Sequence, residues 1–234
     1  MKIIPYGEDG VLVNFEQHIT PEVNNKVNNL AAILEKHDFI KCLIPAYCSL
    51  TITFDPDKTS FTELKKIIEE INLSKNKQQT NGRKLTIPVC YADEFGLDLM
   101  ALSVELKLSK EAFIEIHTAV AYTVYMIGFL PGFPYLGRTD ARITCSRKAQ
   151  PRKRVEAGSV GLAGNQTGIY PFDSPGGWQL IGRTPLPIFQ TRQQEDFLFR
   201  AGDEVKFKSI SLEAYEGIQQ QLAHKTFNWE SVYE

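Results

Sequence analysis

The chain has 234 residues, 43% of them hydrophobic and 23% charged, with a formal net charge of −2. That length holds one large domain or two small ones, and the composition is that of a globular protein with a real core rather than a disordered chain. No global positive field exists to draw the chain onto nucleic acid or an anionic membrane, so small molecules and proteins are the expected partners.

The start turns acidic before an apolar leader can develop, and no later run approaches the ~20 apolar residues of a membrane-spanning helix; a cytoplasmic location is expected. Cys42, Cys48, Cys90 and Cys145 are scattered with no Cys-x-x-Cys pair. His18, His37, His117 and His224 form no His-Glu-x-x-His array, so no metal site is expected.

Residues 2 to 15 read as two short strands around Gly7-Glu-Asp-Gly10, with Val11, Val13 and Phe15 on one face. Pro21 opens a helix in which Val23, Val27, Leu30 and Leu34 form a stripe, with Thr20 as its N-cap. Lys41 to Phe54 reads as two strands or one irregular edge strand broken at Pro45. A second helix follows, with Leu64, Ile67, Ile68 and Ile71 on one face and Thr59 or Ser60 as its cap. Residues 1–73 are thus expected to form a small ββαββα domain of the α+β class.

Residues 74–83 contain no apolar side chain, the composition of an exposed linker, and the boundary is placed at 74–84. The second domain, 85–234, restarts with the strand Leu85-Thr-Ile-Pro-Val89 and two short helices between Leu97 and Thr118, separated near Ser109. Beyond Ala121 helical periodicity disappears. Short strands are expected at 122–127, 159–163, 178–182, 187–190 and 205–210, and the Gly and Pro between them predict a barrel or sandwich.

Three stretches of this second half stand out. In Gly128-Phe-Leu-Pro-Gly-Phe-Pro-Tyr-Leu-Gly137, rigid and permissive residues alternate with large apolar ones, which suits either a buried crossover or the wall of a substrate pocket. The stretch from Pro151 to Pro171 spaces glycines at 158, 161, 164 and 168 without the order of a dinucleotide fold, a P-loop or a nucleophile elbow. Arg147, Lys148, Arg152, Lys153 and Arg154 lead into it. The lysines read as solvated charges, whereas an arginine beside Gly-rich backbone is suited to grip a carboxylate or phosphate. The third stretch, Tyr170 to Pro185, offers donors at Ser174, Gln179, Arg183 and Thr184 among its turns, with Trp178 and Leu180 assigned to the core.

Taken in this order, the three stretches resemble the signature of the PxpB/KipI family, also called allophanate hydrolase subunit 1, over essentially the whole chain. Departures are Glu156, where relatives usually carry proline, and Arg138-Thr139, where Gly-Leu is common. The resemblance implies an α+β N-terminal domain followed by a mainly β, cyclophilin-like barrel, without implying isomerase activity. It implies three functions. One is the B subunit of ATP-dependent 5-oxoprolinase, which converts 5-oxo-L-proline to L-glutamate together with the A and C subunits and is inactive alone. The others are a KipI-type inhibitor of a sporulation sensor kinase, and an allophanate hydrolase or biotin-dependent carboxyltransferase subunit.

On the oxoprolinase reading, opening an unstrained lactam couples to ATP through a phosphorylated imidate, which calls for anion-stabilising donors. Arg152, Arg154 and Arg183 are then expected on carboxylate or phosphate, Gln166 and Thr167 as orienting donors, and Tyr170 and Ser174 as further polar contacts. His117 is the candidate general base, set against the alternative of a core histidine.

Overall fold

A computed structural model describes residues 1–73, 82–189 and 197–233. The chain divides into two compact units, Met1–Asn81 and Gly82–Glu234.

The first unit runs β1 (Lys2–Pro5), β2 (Gly10–Asn14), α1 (Pro21–Leu34), β3 (Ile40–Pro45), β4 (Ser49–Phe54) and α2 (Phe61–Glu70). Its antiparallel sheet has the order β1-β2-β4-β3. Period-two alternation turns Leu50, Ile52 and Phe54 inward, where they meet Val27, Leu30 and Leu34 of α1 and Leu64 and Ile68 of α2. Thr20 accepts the Val23 N–H, and Ser60 and Glu63 form a capping box, so both helix starts are fixed locally. Pro45 ends β3, an edge strand, where its missing N–H costs no ladder bond.

The second unit contains β5 (Lys84–Cys90), α3 (Leu99–Glu105), α4 (Lys110–Ala119), β6 (Ala121–Ile127), β7 (Pro134–Gly137), β8 (Arg152–Val155), β9 (Ser159–Ala163), β10 (Gln166–Ile169), β11 (Ser174–Gly176), β12 (Gln179–Arg183), β13 (Glu204–Ile210) and α5 (Leu212–Ala223). Seven strands close a barrel in the order β10-β7-β6-β13-β5-β12-β9, with β5 and β13 parallel and the other pairs antiparallel. Ile87, Val89, Val124, Leu136, Val160, Leu162, Ile181 and Phe207 fill it, and α4 adds Phe113 and Ile116 to the same core. The short strands β8 and β11 pair outside the barrel.

Three expectations need correction here. A helix, α5, occupies 212–223 although the sequence pattern ended helices before Ala121; only Tyr215 of its residues is fully buried, so its apolar stripe is too thin to stand out. No strand covers 187–189, where Phe189 makes only a single bridge to Phe197, and Gln190 lies outside the described residues. The linker also ends earlier than 84. Residues 74–81 of the assigned linker lie outside the described residues, but Lys84 already belongs to β5. Arg83 is anchored by its Nη2, 2.6 Å from Asp203 and 3.0 Å from the Leu198 carbonyl. No helix among the described residues is long and apolar enough to cross a membrane.

Candidate functional site

The residues singled out from sequence fall into three groups. His117 lies on α4 with no exposed surface, stacked on Phe207 at 4.7 Å between centroids. Its Nδ1 is 2.8 Å from the Tyr91 hydroxyl and its Nε2 is 3.1 Å from Thr167 Oγ1. Thr167 donates onward to the Gly161 carbonyl at 3.1 Å. Because that hydroxyl proton is spent, Nε2 must carry the hydrogen given to Thr167, and Nδ1 accepts from Tyr91. Burial pushes the His117 pKa down to about 3, so the ring is neutral. A general base needs a ring nitrogen within reach of substrate, and both are engaged inside the core. The structure therefore places His117 and Thr167 in the packing of the barrel, the arrangement of a core histidine, which was the alternative set beside the general-base role.

The second group is a set of arginines that already hold carboxylates. Arg154 pairs with Asp173 at 2.6 Å on the surface. Arg183 pairs with Glu156 and lies 4.8 Å over the Phe95 ring, so Glu156, standing where relatives usually carry proline, supplies its counterion. Gln166 opens β10, half-buried, opposite Gly137 and Ala163. Ser174 begins β11 with its Oγ buried and unpartnered among the described residues.

Tyr170 and Arg152 form the third group, and they lead to a cavity of about 290 Å³. Its walls come from the Gly/Pro stretch (Phe129, Tyr135), from the turn after β10 and β11 (Tyr170, Pro175 to Trp178), and from Arg147, Lys148 and Pro151. Phe133 is the support behind them, with its ring centroid 4.9 Å from Tyr135, 5.2 Å from Tyr170 and 5.3 Å from Trp178. Gly176 is required by close approach: a Cβ there would lie 2.3 Å from the Tyr170 hydroxyl oxygen.

The cationic side of the cavity is held in place by Asp98, a buried residue just before α3. Its Oδ1 accepts from Arg152 Nη2 at 2.7 Å and from Lys148 Nζ at 3.0 Å, and its Oδ2 accepts from the Leu180 N–H at 2.7 Å. Burial alone would raise this carboxyl, but the bonds from Arg152, Leu180 and Lys148 outweigh it and hold the pKa below the ordinary carboxylate value. Arg152 sits opposite Gly176 in the β8–β11 pair and keeps a buried Nη1 with no partner among the described residues.

Arg147 forms no ion pair among the described residues, and its guanidinium carbon lies 5.9 Å over the Trp178 ring. Burial raises the pKa of the Tyr135 and Tyr170 hydroxyls, and the Arg147 charge opposes that rise at both, which places the cation beside both phenols. The loop carrying it is tied at each side, by Gln179 Nε2 to the Ser146 carbonyl at 3.0 Å and by the Lys148 N–H to the Gly177 carbonyl at 2.8 Å. Two cations, Arg152 and Lys148, thus share the Asp98 carboxylate while a third, Arg147, is left over beside aromatic faces, an arrangement for a flat anion.

Sequence reasoning missed Asp98, left Arg147 in the basic run and Tyr135 in a stretch read as crossover or pocket wall without naming either as a site residue, and gave Trp178 to the core. A larger hollow of about 490 Å³ in the first unit is lined by Glu16, Glu69, Glu70 and Lys26 among others, and none of the three motifs reaches it. Among the described residues no group of three His, Cys, Asp or Glu side chains is placed to hold a metal ion.

Residues 1–199 match the family model described as carboxyltransferase domain, subdomain C and D. The chain belongs to that family. It is 42% identical to the 5-oxoprolinase B subunit of Bacillus subtilis (strain 168), over 92% of this chain and 95% of that protein. It is 38% identical to the 5-oxoprolinase B subunit of Haemophilus influenzae, over 88% of this chain and 97% of that protein. Among solved structures, the crystal structure of TTHA0988 matches with a TM-score of 0.77 and 34% identity, covering 86% of this chain. This chain spans only 40% of TTHA0988, so the same unit is there part of a longer polypeptide.

Proposed function

We infer that this chain is the B subunit of an ATP-dependent 5-oxoprolinase, opening 5-oxo-L-proline to L-glutamate with ATP hydrolysis in a complex with the A and C subunits. The observation that carries the reading is the end-to-end match to two 5-oxoprolinase B subunits. On this reading the seven-stranded barrel is of the cyclophilin-like kind, the complex is cytoplasmic, and ATP is its co-substrate.

The geometry supports a contribution of binding and electrostatics rather than of a nucleophile. The residues lining the cavity include no Ser, Thr, Cys or His, and the buried Tyr91–His117–Thr167 network is closed on itself. What the chain offers is fixed positive charge over a desolvated aromatic surface, where each donor acts more strongly on developing negative charge than it would in water. No Gly-Lys-Ser/Thr phosphate loop occurs in the sequence, so the reading gives the single chain no turnover and assigns completion of the site to its partners.

The test is ADP release with and without 5-oxo-L-proline, measured for the chain alone and for the mixture with the A and C subunits. The expected result is substrate-dependent release only from the mixture. Turnover by the chain alone would overturn the partner requirement; an inactive mixture, with tight binding of the chain to a sensor kinase, would replace the enzyme reading by the inhibitor one.

A further inference from the structure

The cavity beside Trp178 has an unusual distribution of charge. Arg152, Arg154 and Arg183 each have a carboxylate partner, in Asp98, Asp173 and Glu156. Arg147 forms no ion pair among the described residues, yet its loop is tied down on both sides and its guanidinium lies over an indole. A solvated surface arginine would be free to swing into water. The tied loop and the indole face narrow the range this exposed side chain samples, which reduces the entropy lost when an anion arrives.

Shape narrows the ligand further. A cavity of about 150 Å³ accommodates benzene, so one of about 290 Å³ takes a single five-membered ring with a carboxylate but not a dinucleotide. Tyr135 and Trp178, 5.8 Å apart between centroids and inclined at 66°, present an angled aromatic corner rather than a deep slot. Tyr170 and the Gly176-Gly177 backbone complete the lining.

We propose that this cavity binds a flat cyclic amide carrying one carboxylate, with the ring against Trp178 and Tyr135 and the carboxylate on the Arg147 fork. Naming that ligand as 5-oxo-L-proline rests on the oxoprolinase reading; the fit to a flat cyclic monoanion does not. Lys148 and Arg152 remain on Asp98 and set the field, leaving Arg147 as the direct contact.

Two measurements test this together. In the reconstituted complex, Arg147→Ala should raise KM for 5-oxo-L-proline about 10- to 100-fold, the loss of a charge-assisted pair, with Arg147→Lys recovering part of it and KM for ATP unchanged. In the full chain carrying Trp229→Phe, Trp178 is the sole indole. Its emission should respond saturably to 5-oxo-L-proline, weakly to 2-pyrrolidinone, which lacks the carboxylate, and not to ADP. Arg147→Ala should abolish the response, and so should Gly176→Ala, whose new methyl group would collide with the Tyr170 ring and displace that wall of the cavity. Arg147 is exposed, so its replacement leaves the fold intact.

An active complex whose KM and Trp178 emission are both indifferent to Arg147→Ala overturns the site and leaves the oxoprolinase reading standing. An inactive complex whose Trp178 still reports 5-oxo-L-proline in an Arg147-dependent manner keeps the site and removes that reading. A response to ADP, or a raised KM for ATP instead, assigns the cavity to nucleotide and overturns the proposal.

Discussion

Two places in the second unit set polar groups among aromatic rings, and they solve the problem in opposite ways. Around His117 the network is closed: Tyr91 donates to one ring nitrogen, the other donates to Thr167, Thr167 to Gly161, and the Tyr122 hydroxyl to the His117 carbonyl at 2.8 Å. Nothing there is charged and nothing is exposed. Around Trp178 the network is left open on one side, with Arg147 uncompensated and an Arg152 N–H unpartnered among the described residues. A fully satisfied buried network fixes a core, whereas unspent hydrogen-bonding and charge capacity at a surface is what a ligand can use. Residue type alone would have ranked the two the other way, because histidine is the commoner catalytic side chain.

The comparison breaks most sharply at Asp98, which separates the two kinds of region by neutralising the cations that are not left open. Asp98→Ala should cost about 3–5 kcal/mol of unfolding free energy, because it strands two half-buried cations and the Leu180 N–H together. Asp98→Asn, which keeps an acceptor for Leu180, should cost less, and chemical denaturation of the three proteins gives the ranking. The folded-state carboxyl is depressed, so its contribution is complete above the unfolded-chain value of about 3.9 and is lost as pH falls through the lower folded value. Equal stability of wild type and Asp98→Ala would mean that Arg152 and Lys148 are solvated and that the cavity has no fixed electrostatic floor.

His117 comes next. His117→Asn should lower stability at pH 8 by about 1–3 kcal/mol, the cost of leaving a buried hydrogen-bonding group unmatched. The pH dependence is the sharper observation. The folded pKa of about 3 lies below the unfolded value near 6.5, so the unfolded chain takes up a proton that the folded chain refuses. Wild-type stability should therefore fall as pH drops from about 6.5 toward 3, and His117→Asn should show a shallower fall over the same window. If the variant instead retained stability and lost only turnover, with a pH–rate limb displaced, His117 would belong to the chemistry after all.

Local signals made much of the first unit legible. Thr20 and Ser60 cap the helices that their sequences announce, and Val23, Val27, Leu30 and Leu34 are buried as the 3.6-residue period requires. The second unit was harder to read because β7, β8, β10 and β11 have three or four residues each, too few for a period to register, and all but β8 contain Gly or Pro. The site was harder still. Tyr170 was reachable from its motif, but which arginine stays free depends on where carboxylates fall in space. Asp98 lies 54 positions before Arg152, and Asp173 lies 19 after Arg154. No local pattern carries that information, so Arg147 looked no different from its neighbours, the stretch carrying Tyr135 fitted a crossover as well as a pocket wall, and Trp178 looked like core.

The smallest expected effect is the control for the whole comparison. Arg154 belongs to the same basic run and to the same strand β8 as Arg152, and its side chain is 72% exposed while it pairs with Asp173. Exposed pairs are screened by water and salt, and ordering two long side chains cancels much of the attraction. Asp173 also retains a second role, accepting the Ala157 N–H at 2.9 Å, which does not depend on Arg154. Arg154→Ala should thus leave the unfolding midpoint unresolved from wild type and shift KM for 5-oxo-L-proline by less than about twofold. Measured beside Arg147→Ala at low and physiological salt, it separates a specific contact from a general positive field. A field would weaken both variants alike and fade with salt, whereas a fixed guanidinium over Trp178 makes Arg147 alone costly at either ionic strength.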